Sequence, residues 1–257
     1  MREDVSPRDR FVTVYGIRPV LAALTDERLT VDKVLVAEGA RSGSIREIVA
    51  AAQARGVAVR RVPAQRINLL SGNPRHDNGV LADVVAPRMR TLADALGGKH
   101  HERPDTVLVL DGIKTPANVG MILRSATAAG LGGVVVPHRG VADLDPLVVK
   151  ASAGVAFRAP VLRCDTAEEA AERLVEAGYE VVGLAADATE TIFETRVEPP
   201  VAFVLGSETE GVTAAVRPYV ARWVSIPMPG DVESLNVASA AAVVSFEIVR
   251  RRLSGQA

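Results

Sequence analysis

Hydrophobic and polar positions in the first 86 residues alternate between strand-like and helix-like segments. The segment 11–24 begins as a strand and continues as an amphipathic helix. Apolar residues recur at helical spacing within 44–55, and Gly56 follows at the position where a left-handed residue ends many helices. Further strands are predicted over 33–37, 57–62 and 79–85, with a short helix over 65–70. This alternation predicts a small α/β domain over residues 11–86.

From residue 105 onward, short apolar runs alternate with polar loops and helix-like segments. The run 106–110 (TVLVL) is apolar after its first residue, which is typical of a parallel strand buried on both faces. The predicted strands are 106–110, 134–137, 160–162, 179–185, 201–205 and 223–226, and the predicted helices are 118–129, 146–152, 166–177, 213–219 and 237–249. Five or six parallel strands covered by helices predict a doubly wound α/β sheet.

The stretch between these two patterns, 87–104, has the composition of a linker. It contains Gly97 and Gly98 and a charged, histidine-bearing run, KHHERP, and a short helix over 91–96 fits within it. The chain is therefore divided into a domain over 11–86, a linker over 87–104 and a domain over 105–257. The charged residues 1–10 are expected to form a mobile arm.

Composition excludes several classes of protein. The chain has 257 residues, 48% of them hydrophobic, and no run approaches the roughly 20 apolar residues of a membrane span. The first residues lack the apolar core of a signal peptide, so a cytoplasmic protein is expected. Cys164 is the single cysteine, which rules out an intrachain disulfide, and the four histidines show no metal-ligand spacing. No metal is expected.

The net charge of −1 conceals an asymmetry along the chain. Residues 1–100 hold 16 Lys and Arg against 11 Asp and Glu, a balance of +5, and the remainder holds 14 against 20, a balance of −6. A basic first part suggests a polyanionic partner, although a solvated surface would give the same balance.

Three polar loops follow predicted strands, and each leads into a helix or turn. They read LDGIKTPANVGMILRSA, FVLGSETEGV and IPMPGDVESLNVASAAA. In an open α/β sheet, ligands bind at the carboxyl ends of the strands, so the three loops can share one crevice. The chain has no strand-linked G-x-G-x-x-G, no P-loop and no G-x-S-x-G, which disfavours a nicotinamide-dependent oxidoreductase, a nucleotide triphosphatase and a serine hydrolase.

These loops resemble the three signature motifs of the SpoU/TrmH branch of the SPOUT RNA methyltransferases. The matching positions are Asn118, Gly120 and Arg124 in the first, Gly206, Ser207, Glu208 and Gly211 in the second, and Ile226, Pro227, Met228, Ser234, Leu235, Asn236 and Ser239 in the third. The resemblance implies a deep trefoil knot in the second domain, S-adenosylmethionine (AdoMet) as cofactor, and methyl transfer to a ribose 2′-hydroxyl of RNA.

The resemblance also implies roles for individual residues. Arg124 matches the catalytic arginine, and two roles stay open: a base for the hydroxyl, or a clamp for phosphate and developing alkoxide. Asn118, Glu208, Ser234 and Asn236 match positions that orient the arginine or the substrate, although each also suits a helix cap. The cofactor-binding positions that it implies are Leu184, Ala185, Gly206, Ile226, Met228 and Leu235.

The first domain resembles the RNA-binding domain of many TrmH-type enzymes, which is related to a ribosomal protein. The stretch RHDNGVLADV matches the family's H-Q-G-V-x-A only with an insertion and no glutamine, so no role is assigned to His76. The resemblance further implies a homodimer. Ribosomal RNA, 23S first, is the expected substrate, with transfer RNA second and a resistance methylation within the same class. The alternative is a non-catalytic RNA-binding or ribosome-assembly protein that has kept the fold.

Overall fold

A computed structural model describes residues 9–98, 102–230 and 232–255. Most of the predicted N-terminal arm and part of the predicted linker, including His100 and His101, lie outside the described residues. Asp231 of the third loop does so as well.

The N-terminal unit is a four-stranded sheet with three helices. Its strands are β1 (Phe11–Tyr15), β2 (Val31–Ala37), β3 (Ala58–Val62) and β4 (Val80–Val85), and its helices are α1 (Ile17–Thr25), α2 (Gly43–Ala54) and α3 (Ala64–Ser71). The strand order is β1-β4-β2-β3, with β4 antiparallel to both neighbours and β3 parallel to β2. The alternation that the sequence predicts over 11–86 is present in full.

The second unit contains a seven-stranded sheet in which every pairing is parallel. Its strands are β5 (Arg90–Thr91), β6 (Thr106–Leu110), β7 (Gly133–Pro137), β8 (Val161–Cys164), β9 (Glu180–Leu184), β10 (Val201–Leu205) and β11 (Arg222–Val224). They run in the order β11-β9-β10-β6-β7-β8-β5. All residues of β6, β7 and β10 are buried, which explains their continuous apolar runs.

Helices cover both faces of this sheet. They are α4 (Leu92–Gly97), α5 (Pro116–Ala128), α6 (Pro146–Ala151), α7 (Ala167–Glu176) and α8 (Val237–Leu253). Helices α5, α6 and α8 share one hydrophobic cluster with Leu108 and Phe203, whereas α4 and α7 share another with Val107 and Val204. Because neighbouring strand residues point to opposite faces, the predicted doubly wound α/β sheet is confirmed.

Two segments differ from their predictions. Residues 90–97 of the predicted linker form β5 and α4, and β5 pairs with β8 at the edge of the larger sheet. The predicted helix over 213–219 is wrong: only a 3-10 turn forms there, over Arg217–Tyr219. Pro218 lacks the N–H group that an α-helix would require at this point, and its ring clashes with the preceding turn.

The two units are joined by polar contacts near the chain start. The Asp9 carboxylate lies 3.0 Å from Nε2 of His138, in the loop after β7. Nδ1 of His138 in turn lies 2.6 Å from the buried guanidinium of Arg163 on β8. Burial raises the pKa of Tyr15 at the end of β1, and the carboxylate of Asp145, at the start of α6, raises it further. The first unit is thus held against the second at His138, and β1 also contacts α6.

Helices α5 and α6 approach closely at Gly120, which matches the first motif. A Cβ atom added there would lie 2.6 Å from the Cβ of Ala151 and from the carbonyl oxygen of Val148. We expect Gly120→Ala to lower the free energy of unfolding by about 1–3 kcal/mol, because the helices must move apart. Gly43→Ala is the matched control, since nothing lies within 4 Å of an added Cβ on α2. Urea unfolding measures both, and equal stability of the two variants would contradict this packing.

Candidate active site

The carboxyl ends of four neighbouring strands form one edge of the larger sheet. In the order β11-β9-β10-β6 they are adjacent and parallel. The three motif loops leave from the ends of β6, β10 and β11, as the sequence predicts. The loop after β9 is their neighbour between β10 and β11.

Three of the predicted polar residues meet in one hydrogen-bond network. Oε1 of Glu208 accepts from Nδ2 of Asn236 at 2.6 Å and from Nδ2 of Asn118 at 3.3 Å. It also accepts from the backbone N–H of Val237 at 3.3 Å. Nδ2 of Asn236 donates in addition to Oδ1 of Asn118 at 3.1 Å. Each residue comes from a different motif, so the network joins all three loops.

The network lies at the start of α8. Oδ1 of Asn236 accepts from the backbone N–H of Ala238 at 2.9 Å and so caps the helix. The Glu208 carboxylate is placed at the same N-terminus, where the helix dipole favours negative charge. Asn236 therefore caps α8 and at the same time belongs to the network that joins the motif loops.

Arg124 and Ser234 stand outside this network. Both are exposed, and neither makes a hydrogen bond or ion pair within the described ranges. Arg124 follows Asn118 by six residues on α5, a rotation of about 240° at 3.6 residues per turn, so the two side chains leave different sides of the helix. The structure thus assembles the amide and carboxylate groups but leaves the guanidinium free.

Sequence reasoning missed Asp111, which ties the first loop to the second. Its carboxylate is buried and accepts from the backbone N–H of Thr213 at 2.7 Å. Its own N–H donates to the carbonyl oxygen of Leu205, at the end of β10, at 2.9 Å. The sequence does carry a signal for this role, because an acidic residue stands directly after a buried strand, near the start of the motif loop.

The second motif loop closes on itself at Gly206. An added Cβ would lie 2.0 Å from the carbonyl carbon of Gly211, and Ser207 and Gly211 exchange backbone hydrogen bonds of 3.1 and 2.9 Å. Gly211 has a φ of 65°, in the left-handed region that favours glycine. The tight loop itself therefore requires Gly206, whether or not a ligand approaches it.

The predicted cofactor positions line the same sheet edge. Leu184 and Ile226 are partly buried and pack against the core, Ala185 and Met228 are half-buried, and Leu235 is exposed. Just before Ile226, Ser225 exchanges backbone hydrogen bonds of 2.8 Å with the loop after β9, which holds this segment in place. None of these side chains is charged, so the set suits a flat neutral ring such as adenine, with backbone groups to bind its edge.

Other reactive groups lie apart from this edge or are inert. Burial raises the pKa of Cys164 to about 12, so its thiol stays protonated at neutral pH. Nδ1 of the exposed His76 lies 2.9 Å from Oδ1 of Asn73 in the N-terminal unit. In the described part of the chain, no three His, Cys, Asp or Glu side chains are grouped to hold a metal ion. No helix there is long and apolar enough to cross a membrane.

Two sequence profiles match most of the chain. Residues 105–246 match the SpoU rRNA Methylase family, and residues 13–90 match a profile described as RNA 2'-O ribose methyltransferase substrate binding. The two matches follow the division into two units and leave most of the predicted linker between them.

Full-length relatives carry related names. A 23S rRNA (guanosine-2'-O-)-methyltransferase, RlmB, from Xanthomonas campestris pv. campestris is 35% identical over 246 residues, which cover 93% of this chain and 96% of the relative. A protein provisionally named a TrmH family tRNA/rRNA methyltransferase, from Staphylococcus saprophyticus, is 35% identical over 243 residues, covering 94% and 96%. The crystal structure of the SpoU methyltransferase AviRb from Streptomyces viridochromogenes, in complex with the cofactor AdoMet, is similar with a TM-score of 0.63 and 28% identity, covering 95% of this chain and 91% of that chain.

The network predicts an energetic coupling between Glu208 and Asn236. In a double-mutant cycle, Glu208→Ala and Asn236→Ala should be non-additive by roughly 1 kcal/mol in the free energy of unfolding, because each removes the other's partner. The control cycle pairs Glu208→Ala with Thr166→Ala, which removes the N-cap of α7 and is expected to cost about 1 kcal/mol additively. Additivity in both cycles would show that the contact contributes nothing to stability.

Proposed function

This chain belongs to the SpoU family of RNA methyltransferases, and we propose that it transfers the methyl group of AdoMet to a ribose 2′-hydroxyl of 23S ribosomal RNA. One observation carries the proposal. The side chains of Asn118, Glu208 and Asn236 are hydrogen-bonded to one another beside the uncharged residues that are predicted to bind the cofactor. Relatives named as 23S rRNA methyltransferases match almost the whole chain. A non-catalytic RNA-binding protein would have no need for this assembly. An rRNA substrate would place the protein in the cytoplasm.

AdoMet, when bound, supplies a methyl group that its sulfonium already activates. The chain must therefore align the ribose oxygen and assist the loss of its proton. Leu184, Ile226 and Met228 would hold the purine, while backbone groups of the loops after β9, β10 and β11 would bind its edge. The hydrogen bonds of the Glu208 network would hold these loops at fixed positions relative to one another.

Arg124 is better suited to bind charge than to accept a proton. A guanidinium stays protonated at any ordinary pH, which makes it a poor base. As a cation it can bind the phosphate next to the target ribose and stabilise the developing alkoxide. The exposure of Arg124 leaves its donors available to RNA. Ser234, exposed in the third loop, is proposed to contact the substrate.

The finer features of the fold are also part of the proposal. The segment before α8 is hydrogen-bonded to the loop after β9, where the N–H of Ile192 donates to the carbonyl oxygen of Ser225, and α8 packs beside α5. These contacts support the proposal that the C-terminal segment forms a deep trefoil knot. The four-stranded N-terminal unit is proposed to be the ribosomal-protein type of RNA-binding domain. A crystal structure of the AdoMet complex tests both the threading and the cofactor positions.

A homodimer would complete the site. Met121, three residues before Arg124 and therefore beside it on α5, is 40% exposed, and Phe246 on α8 is 51% exposed. A second copy seated on these apolar residues would bring Arg124 towards the partner's network. Arg124 and the Glu208 network would then act in one site from two subunits.

The first test is methyl transfer from labelled AdoMet to deproteinised 23S rRNA and tRNA from a host that lacks the gene. We expect Arg124→Ala to lower turnover roughly 10²–10³-fold while AdoMet affinity stays the same, since the arginine acts on the substrate. Arg173→Ala, on α7, is the control and should retain activity. Alkaline cleavage locates the label, because a 2′-O-methylated nucleotide resists it. Absence of AdoMet binding by the wild type would refute the proposal.

The second test concerns the subunits. Phe246→Glu should weaken self-association at least tenfold in sedimentation, because it buries a charge in an apolar interface, whereas Val175→Glu, 45% exposed on α7, should not. Mixed Arg124→Ala and Glu208→Ala subunits should regain roughly a quarter of wild-type activity, as half the dimers would carry one intact composite site. If the mixture stays inactive while heterodimers form, the site lies within one subunit.

A further inference from the structure

The outer side of α3 exposes two adjacent leucines among arginines. Leu69 is 80% exposed and Leu70 is 46% exposed, in the last turn of the helix. Ile67, on the inner side of the same helix, is fully buried in the hydrophobic cluster beneath it. Arg66 precedes the leucines by three and four residues, which makes it their neighbour on the helix surface.

Two further arginines adjoin this helix. Arg60 on β3 pairs with Leu35 on β2, so both side chains point to the same face of the sheet. Leu35 packs with Ile67 under α3, which places Arg60 on the face that α3 covers. Arg75 is exposed in the turn that follows the helix. We call the set Arg60, Arg66, Leu69, Leu70 and Arg75 the α3 surface.

The charge of the α3 surface is uncompensated. Residues 48–76 contain five arginines and no Asp or Glu. Arg55 and Arg61 donate to backbone carbonyl groups, whereas the three arginines of the α3 surface make no hydrogen bond or ion pair within the described residues. The next carboxylate, Asp77, is buried and accepts from the Ser71 hydroxyl and the Gly79 N–H.

This surface is linked to the helices of the active site. Nδ2 of Asn73, just after α3, lies 3.4 Å from the Tyr15 hydroxyl, and Asp145 is close enough to raise the pKa of that hydroxyl. Asp145 caps α6, and α6 packs on α5, which carries Asn118 and Arg124. The turn after α3 is therefore connected through β1 and α6 to the helix that carries Asn118 and Arg124.

Building on the proposed function, we propose that the α3 surface binds an unpaired stretch of the substrate RNA, with the arginines on phosphates and the two leucines against an unstacked base. Unpaired bases are the parts of RNA that proteins read by apolar and stacking contacts, because the major groove of an RNA duplex is too narrow for side chains. A second copy of the chain is a poorer occupant, since a two-fold interface would bring the same uncompensated arginines together.

The test compares two pairs of charge-removing substitutions in the full chain. The first is Arg60→Gln with Arg66→Gln, and the control is Arg18→Gln with Arg46→Gln, exposed arginines of α1 and α2. The probes are a mixed-sequence 20-nucleotide single-stranded RNA and the blunt duplex of the same sequence. We expect the first pair to lower single-strand affinity at least tenfold. The slope of the logarithm of the binding constant against the logarithm of the salt concentration, here called the salt slope, should fall in magnitude by about 1.4, or about 0.7 per lost phosphate contact. The control should change affinity less than threefold.

A third variant, Leu69→Ser with Leu70→Ser, isolates the base contact. It should weaken binding of the single strand about fivefold with an unchanged salt slope, and leave duplex binding unchanged, because no charge is removed. Equal losses for single strand and duplex, or an effect of the control pair as large as that of Arg60 and Arg66, would overturn the proposal. So would a change in sedimentation, which would identify a protein interface.

Failure of this inference and failure of the proposed function give different results. If the wild type methylates 23S rRNA while all variants bind RNA normally, the α3 surface is not the RNA contact and the function stands. If the wild type binds no AdoMet, the function fails, and loss of single-strand binding in the variants would still support the surface. Thermal unfolding of each variant checks that the fold is intact.

Discussion

The arrangement of the site depends on the hydrogen bonds that Oε1 of Glu208 accepts. This oxygen receives hydrogen bonds from Asn118 and Asn236, two residues that are 118 positions apart in the chain. The parallel sheet brings their loops to one edge, but strand pairing alone leaves loops free to separate. One carboxylate with three N–H donors removes this freedom, and it does so at a helix start where negative charge is favoured. Asp111 makes the comparable connection between the first and second loops.

Joining the loops in this way has a consequence for Arg124. Arg124 lies six residues after Asn118 on α5, so its guanidinium leaves the helix on a different side from the network. A cation buried beside Glu208 would form a closed ion pair and would have few donors left for a substrate. In its exposed position the guanidinium keeps its donors available to a ligand. This separation is compatible with the proposal that Arg124 and the Glu208 network act in one site from two subunits.

Much of this could be predicted from the sequence, because buried parallel strands leave apolar runs and the motif residues lie at their ends. The strand β6 and the motif positions Asn118, Glu208 and Asn236 are of this kind. The strand β5 was not predictable, since two residues carry no periodicity and their pairing with β8 is decided by distant parts of the chain. The bond from Asp111 to Thr213 joins residues 102 apart and leaves no local pattern. The helix predicted over 213–219 does not form, because Pro218 lacks the N–H group that an α-helix needs at this position.

Polar contacts between folded elements link the two units. The guanidinium of Arg163 donates to Nδ1 of His138, so the bonding pattern assigns the ring proton to Nε2, which donates to Asp9. This chain of contacts begins on β8 of the larger sheet and ends just before β1 of the N-terminal unit. If the α3 surface binds RNA as proposed, contacts between folded elements would set the distance from the bound strand to Arg124. On the proposed function, a strand bound at the α3 surface would reach Arg124 over that fixed distance, which would contribute to the choice of the target ribose.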